Sequence, residues 1–193
     1  MKIRCSKSNL LAALNIVSKA VSTKTTMPIL ECVLIDVYSD SIKLTANDLE
    51  LGIETNLEGT VVEMGRIAIE AKLFIDIVRK LPDSEITIES TSDFKTIIRC
   101  EKAKFVLPSK SGEDFTELPE IEKDKSITIS QFTLKEVIRQ TIFSISDNEN
   151  NKLMTGELFE VKDGKLTVVS LDGHRISMRR INLNENSANV SVV

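Results

Sequence analysis

Apolar residues recur along this chain with two periods, one typical of helices and one typical of strands. The helical period of about 3.6 residues predicts helices over residues 10–21, 71–81 and 134–145. Ser6 or Ser8 stands where its side chain can cap the first of these helices. The pattern therefore predicts three amphipathic helices, each with one face turned toward a core.

Between the helices, apolar and polar residues alternate in short runs that are separated by turn-forming residues. The first strands that this alternation predicts cover residues 2–5, 29–38, 41–47, 51–57, 60–70, 85–89, 94–99 and 103–107. Later strands are predicted over residues 127–130, 153–161, 165–171 and 174–181. Successive strands joined by tight turns, with helices among them, predict an α+β fold built on antiparallel sheets.

One acidic stretch interrupts this order. Residues 108–125 contain Gly112 and Pro119 and show no clean period, which is typical of a linker between domains. We assign the first domain to residues 1–118, the linker to residues 119–126 and the second domain to residues 127–193.

The second domain begins as the first one does. A shift of 124 residues places Ile3 on Ile127 and Asp48 on Asp172, and apolar positions and turns agree between them. Chance agreement between two antiparallel modules is the competing explanation. If the modules are true copies, the second one is truncated at Val193, and we expect a fragment of a longer protein.

Composition and charge narrow the function classes. The chain has 193 residues and a formal net charge of -4, so tight binding of nucleic acid over the whole surface is not expected. A local basic face remains compatible with that charge. No apolar run reaches the roughly 20 residues of a membrane span, and the N-terminus lacks a signal peptide, so we expect a cytoplasmic protein.

The three cysteines predict neither a disulfide framework nor a metal site. Cys5, Cys32 and Cys100 are widely separated and form no Cys-x-x-Cys pair. We expect three buried or half-buried thiols and no metal or cofactor.

The segment Ser170–Ser177 holds the only histidine of the chain, His174, between Asp172 and Arg175. An enzyme would need a nucleophile or further metal ligands beside this histidine, and no cluster has suitable spacing. Asp172 and His174 also share one face of a strand without pointing at each other. We therefore interpret the segment as a recognition element, and the protein as a non-enzyme.

Several stretches, taken in order, resemble the N-terminal half of the bacterial DNA polymerase III beta subunit family of sliding clamps. They are residues 27–30, 44–50, 143–145, 155–159 and 172–175, the last reading Asp-Gly-His-Arg. The resemblance implies a DNA-clamp fold of repeated modules, each with antiparallel sheets outside and two helices lining an inner face. It also implies a homodimeric ring that encircles duplex DNA without regard to sequence and acts as a replication processivity factor.

The resemblance assigns three groups of residues. The DNA-contacting positions are Lys24, Lys72, Asn148 and Lys152, to which the helical spacing adds Arg79 and Lys80. The family pattern has an aromatic pair where Lys152 and Leu153 stand here, so we expect charge rather than stacking at this loop. Ordinary solvation is the competing explanation for each basic residue.

The second group is one wall of a groove for partner peptides: Met154, Leu171, Gly173, His174, Arg175 and Ile176. The third group is a dimer interface: Lys95, Lys102, Lys104, Phe105 and Leu107. Core packing of an alternating strand is the competing explanation for Phe105 and Leu107.

The implied partners are the polymerase III alpha subunit, the clamp loader and other proteins with a clamp-binding motif. A peptide-binding interaction module without a DNA role is the alternative. Only the basic residues on the helix faces separate the two readings.

Overall fold

The computed structural model describes residues 1–22, 24–119, 126–148, 150–183 and 189–193. The chain divides into two compact units, Met1–Pro119 and Glu120–Val193. The lone predicted strand boundary that falls on undescribed residues is the centre of the linker, residues 120–125.

The described strands of the first unit form one antiparallel sheet. Their bounds are β1 Lys2–Ser6, β2 Cys32–Val37, β3 Ile42–Asn47, β4 Gly52–Asn56, β5 Thr60–Glu63, β6 Gly65–Glu70, β7 Glu85–Ser90, β8 Lys95–Cys100 and β9 Ala103–Ser111. Their order across the sheet is β4-β3-β2-β6-β9-β8-β7-β1-β5. Strand β9 joins the two halves, because residues 103–108 pair with β8 and residues 109–111 pair with β6.

Two helices pack together against this sheet, α1 Lys7–Val17 and α2 Ala71–Lys80. The apolar stripes that the sequence predicted are buried: Leu10 and Leu14 of α1 and Phe74 and Val78 of α2 lie in the core of the unit. The Ser6 hydroxyl caps α1 by accepting a hydrogen bond from the Asn9 amide at 3.1 Å.

The second unit contains one described helix, α3 Gln131–Thr141, and a four-stranded sheet. The strands are β10 Leu158–Lys162, β11 Lys165–Leu171, β12 Ile176–Asn182 and β13 Val190–Val192, in the order β12-β11-β10-β13. Val137 of α3 packs on Val161, Leu166 and Val168 of the sheet, which form the core of this unit.

The copies suggested by the shift of 124 residues are visible in the structure. Helix α1 maps residue for residue onto α3, and the 3₁₀ turns Ser18–Ala20 and Pro28–Glu31 map onto Ile142–Ser144 and Lys152–Thr155. Strand register is also the same, since Leu34 pairs with Thr45 and Leu158 pairs with Val169. Two unrelated meanders would not share register, helix bounds and turns together.

Four sequence-based boundaries were wrong. The predicted strand 29–38 opens with the 3₁₀ turn Pro28–Glu31, and the predicted strand 153–161 opens with the matching turn Lys152–Thr155. Gly65, with φ 144°, breaks the predicted strand 60–70 into β5 and β6. Helix α3 ends at Thr141 and continues only as a 3₁₀ turn, so it is shorter than predicted.

Two further stretches differ from the prediction. Residues 108–111 belong to β9 rather than to a linker, and Phe115 beyond them is buried. Residues 127–130 form no strand, although their copies in β1 do. Strand β1 pairs with β7, and the positions that would match β7 lie beyond the 193 residues of this chain.

Candidate functional site

The Asp-Gly-His-Arg segment is a tight turn built around its aspartate. Asp172 Oδ1 accepts hydrogen bonds from the backbone amides of His174 at 2.9 Å and Arg175 at 3.0 Å. Asp172 Oδ2 lies 2.8 Å from Arg175 Nε. These donors, the His174 amide first, hold the pKa of Asp172 below its ordinary value. Both carboxylate oxygens are thus engaged within the turn.

The first unit contains the same turn at Asp48. Asp48 Oδ1 accepts from the amides of Leu51 at 2.7 Å and Glu50 at 3.0 Å. Leu49 adopts φ 75° where Gly173 adopts φ 88° in the copy. The expectation of a turn-forming aspartate common to both modules is confirmed, and it gives Asp172 a structural reason to be present.

A pocket of about 290 Å³ lies beside this turn in the second unit. Its lining is mainly apolar and includes two residues of the predicted groove, Met154 and Leu171. Gly173, His174 and Arg175 are exposed in the turn that follows Leu171, and Ile176 pairs with Leu171 across it. The predicted groove residues therefore divide into two that line the pocket and four at the adjoining turn.

Sequence reasoning missed most of the pocket. The lining residues that were not named as groove residues are Asn151, Leu153, Gly156, Leu158, Val169, Ser170 and Val193. Leu153 is 73% exposed and is the strongest of these signals, an apolar side chain on a 3₁₀ turn with little burial. The copy in the first unit could have indicated it, because the matching residue there, Ile29, also adjoins an apolar cluster.

The predicted DNA-contacting residues are all exposed. Lys72, Arg79 and Lys80 share helix α2, whose buried residues face the core. Arg79 Nη1 lies 4.0 Å from Asp76 Oδ1, a surface pair of little energetic weight. Arg79 and Lys80 also stand in the last turn of α2, where the helix dipole favours positive charge whether or not a ligand is present.

The remaining predicted contacts lie on loops of different units. Lys24 belongs to the first unit, and Asn148 and Lys152 belong to the second. Asn148 Oδ1 accepts a hydrogen bond from the Asn150 amide at 3.1 Å, so it shapes its own loop. The structure thus brings together the three basic residues of α2, and places the other three on separate loops.

The predicted dimer interface lies on β8, β9 and the turn between them. Residues 103–108 of β9 pair with β8 along one edge, and no described strand pairs with their other edge. Phe105 is 38% exposed and Val106, which was not predicted, is 52% exposed. Leu107 is only 5% exposed and belongs to the core of the first unit, so its assignment as an interface residue was wrong.

The lysines of this interface are exposed. Lys95 forms an ion pair with Asp93, and the hydrogen bond that Lys95 donates lowers the pKa of Asp93 to about 2. Lys102 lies in the β8–β9 turn and Lys104 opens the unpaired edge of β9. The edge therefore presents positive charge around an exposed aromatic residue.

Two kinds of feature were searched for over the described residues. No described helix is long and apolar enough to cross a membrane. In the same part of the chain, no three His, Cys, Asp or Glu side chains are grouped so that they could hold a metal ion.

Comparison with known proteins gives two family matches in sequence order. Residues 1–119 match the model of the DNA polymerase III beta subunit, N-terminal domain, and residues 128–193 match the model of its central domain. The chain is 38% identical over 180 residues to the beta sliding clamp of Halalkalibacterium halodurans, covering 89% of this chain and 47% of that protein. It is 35% identical over 191 residues to the beta sliding clamp of Bacillus subtilis, covering 95% of this chain and 50% of that protein.

Solved structures agree. A putative DNA polymerase III beta subunit from Eubacterium rectale has a TM-score of 0.94 and 62% identity, covering all of this chain and 52% of that one. The DNA polymerase sliding clamp from Bacillus subtilis has a TM-score of 0.94 and 32% identity, covering all of this chain and 53% of that one. The chain therefore spans about half the length of the relatives it matches. With both of its units matched in order, the chain belongs to the bacterial DNA polymerase III beta subunit family, the beta sliding clamps.

Proposed function

We propose that this chain is the N-terminal half of a replication processivity factor, a ring that encircles duplex DNA and tethers the replicative polymerase. The protein does no chemistry of its own. The observation that carries the proposal is the repeated unit, in which basic helices and a peptide-binding groove belong to one scaffold.

The distribution of charge supports sliding rather than tight binding. Helices α1, α2 and α3 together carry six basic and two acidic side chains, whereas the whole chain has a formal net charge of -4. The helix surface is thus positive on an acidic protein. Loose, sequence-independent contact with phosphates needs such a surface and little more, because the contacts must break as easily as they form.

The unpaired edge of β9 supports a homodimer. An exposed strand edge is open to pairing by another chain, and the lysines at residues 95, 102 and 104 would select an acidic partner surface. That partner surface belongs to the part of the protein beyond this chain. Phe105 and Val106 supply the apolar centre of the contact.

The pocket beside Asp172 supports the tethering role. It offers an apolar cavity for a short peptide from the polymerase alpha subunit, the clamp loader or another clamp-binding protein. His174 and Arg175 stand at the adjoining turn as polar contacts for the peptide backbone or its charged residues. Replacing both with alanine should weaken peptide binding at least tenfold, with the far-ultraviolet circular dichroism unchanged.

The decisive test uses the full-length protein and DNA topology. The protein should stay on nicked circular DNA and be lost when that DNA is cut once, since a ring can leave a linear duplex only at its ends. Equal retention on both forms would contradict the ring. Peptide binding without any retention on DNA would instead support the interaction module that has no DNA role.

A further inference from the structure

The first unit ends in a tail, residues 112–119, that folds back onto its own sheet. Phe115 is 4% exposed and packs against Cys32, Leu34 and Ala68. This cluster is separate from the main core of the unit. The tail therefore sits on the sheet as an extended segment with one buried aromatic anchor.

Polar contacts hold the tail on both sides of that anchor. Arg66 Nη2 lies 3.2 Å from Glu117 Oε1, and Arg66 Nη1 lies 3.6 Å from Glu113 Oε2. Asn47 Nδ2 donates a hydrogen bond to the Thr116 carbonyl at 3.5 Å. A buried aromatic flanked by charge and backbone contacts is how a bound peptide would look.

The seat of Phe115 has a copy in the second unit. The shift of 124 residues places Cys32 on Gly156 and Leu34 on Leu158. Strand β13 follows with one more residue: Leu34 pairs with Ala68, whereas the β10–β13 register sets Val193 opposite Leu158. The three copied positions, Gly156, Leu158 and Val193, all line the pocket beside Asp172.

We propose that the two units carry two copies of one peptide-binding site, that each copy seats an aromatic side chain of an extended segment, and that Phe115 of the tail closes the first copy. The inference rests on the proposed function of the groove in the second unit and names the chemistry of its ligand. It also gives the first unit a site of the same kind, already filled.

The two copies differ in ways that define the ligand. Gly156 replaces Cys32, which leaves room for the aromatic ring. A Cβ on Gly52 would lie 2.1 Å from Leu118 Cδ2, so the Ile176 side chain in the second unit stands where Leu118 lies in the first. The aromatic anchor is therefore kept in the second unit and the leucine anchor is lost.

The charged contact is lost as well. Arg66 pairs with Asp36 across β2 and β6, and the copied pair in the second unit is Ser191 with Glu160. No cation occupies the place that holds Glu117. A ligand of the second unit thus needs its aromatic residue, and gains nothing from an acid two residues later.

The test measures how many copies of one peptide bind to one chain. The probe is a fluorescein-labelled peptide with the sequence of residues 112–119, Gly-Glu-Asp-Phe-Thr-Glu-Leu-Pro. Anisotropy and titration calorimetry should give one site on the unaltered chain, in the second unit. Phe115→Ala should give two sites, Gly156→Leu none, and the double variant one.

The variants are chosen to change the sites rather than the fold. Gly156 has φ -114°, which other residues adopt freely, so a leucine there fills the pocket without backbone strain. Asn182→Leu, at an exposed position at the far end of β12, is the matched control and should bind as the unaltered chain does. In the peptide, Phe→Ala should reduce affinity at least tenfold and Leu→Ala less than threefold.

Several results would overturn the proposal. Binding that survives Gly156→Leu, or that depends on the peptide leucine more than on its phenylalanine, contradicts the aromatic seat. A Phe115→Ala chain that stays folded by circular dichroism and still binds one peptide contradicts the closed first copy. If that chain unfolds, added peptide should restore its folding, and failure to do so counts against the proposal equally.

The outcome is separable from that of the proposed function. Retention of the full-length ring on nicked circular DNA does not depend on the aromatic seat. Retention together with failed peptide binding would therefore remove only the inference. Loss of retention together with the expected stoichiometry would remove the processivity role and leave the two sites in place.

Discussion

Replacing Leu10 with alanine should destabilise the first unit far more than the same change at its copy, Leu134, destabilises the second. Leu10 is fully buried between α1 and the sheet, whereas Leu134 is half-buried on α3. Removing a fully buried leucine costs about 3 kcal/mol, from the lost transfer energy and the cavity left behind. At Leu134 the surface already exposed removes about half of that cost.

The assay uses the single tyrosine of the chain. Tyr38 lies in the first unit, where its hydroxyl donates to Asp36 Oδ2 at 2.9 Å, so its fluorescence reports unfolding of that unit. With a urea dependence of about 2 kcal/mol per molar, Leu10→Ala should lower the midpoint of the tyrosine transition by about 1.5 M. Leu134→Ala is the matched control and should leave this transition in place, while lowering the second transition seen by circular dichroism.

Two results would refute this reasoning. A shift of the tyrosine midpoint below about 0.5 M for Leu10→Ala would mean that the helix α1 stripe is not the core contact the structure shows. An equal shift for Leu134→Ala would mean that the two units unfold as one, since a change in the second unit would then reach the tyrosine of the first.

Three further predictions concern single features. Gly173→Val should weaken peptide binding severalfold, measured by anisotropy, because φ 88° strains any residue with a branched side chain; Gly173→Asn, which tolerates that backbone, should bind nearly normally. Peptide affinity should be constant above the ordinary carboxyl pKa near 4 and fall as the pH drops through the lowered pKa of Asp172, since protonation releases the amides it holds; Asp172→Asn should flatten that profile, and a fall beginning at pH 6 would contradict it. The thiols of Cys5, Cys32 and Cys100 should react with a thiol reagent only on unfolding, since all are buried and burial raises the pKa of Cys5 to about 12; rapid labelling of the native chain would contradict their placement.

Helices and turns were predictable from the sequence because their signals are local. The stripe of Leu10 and Leu14 follows the helical period, and it alone was enough to orient α1. The repeat added more, since Asp48 and Asp172 were matched before their hydrogen bonds were seen. Local chemistry and internal comparison together recovered the element order.

What failed depended on contacts distant in sequence. Phe115 lies in an acidic stretch that reads as a linker, and only the sheet it packs on makes it a core residue. Leu107 alternates as an interface residue would, but its neighbours bury it. Residues 127–130 repeat the pattern of β1 yet lack a strand partner, which no local pattern can supply.

The groove was half predictable for the same reason. Gly173, His174 and Arg175 stand out in the sequence because the histidine is unique and the glycine marks a turn. Gly156 and Val193 do not, because a pocket wall is defined by what lies opposite it. The register of β10 and β13 brings them together, and register is fixed by the whole sheet.

The residue-for-residue match between α1 and α3 means that the two helices are interchangeable parts. Each begins after a serine whose hydroxyl accepts from the amide three residues on, Ser6 from Asn9 and Ser130 from Thr133. Each runs for 11 residues into a 3₁₀ turn of three. A segment can therefore be transplanted from one unit to the other without altering a single loop length, so chimaeras of this chain can separate what a helix contributes by its surface from what it contributes by its place in the chain.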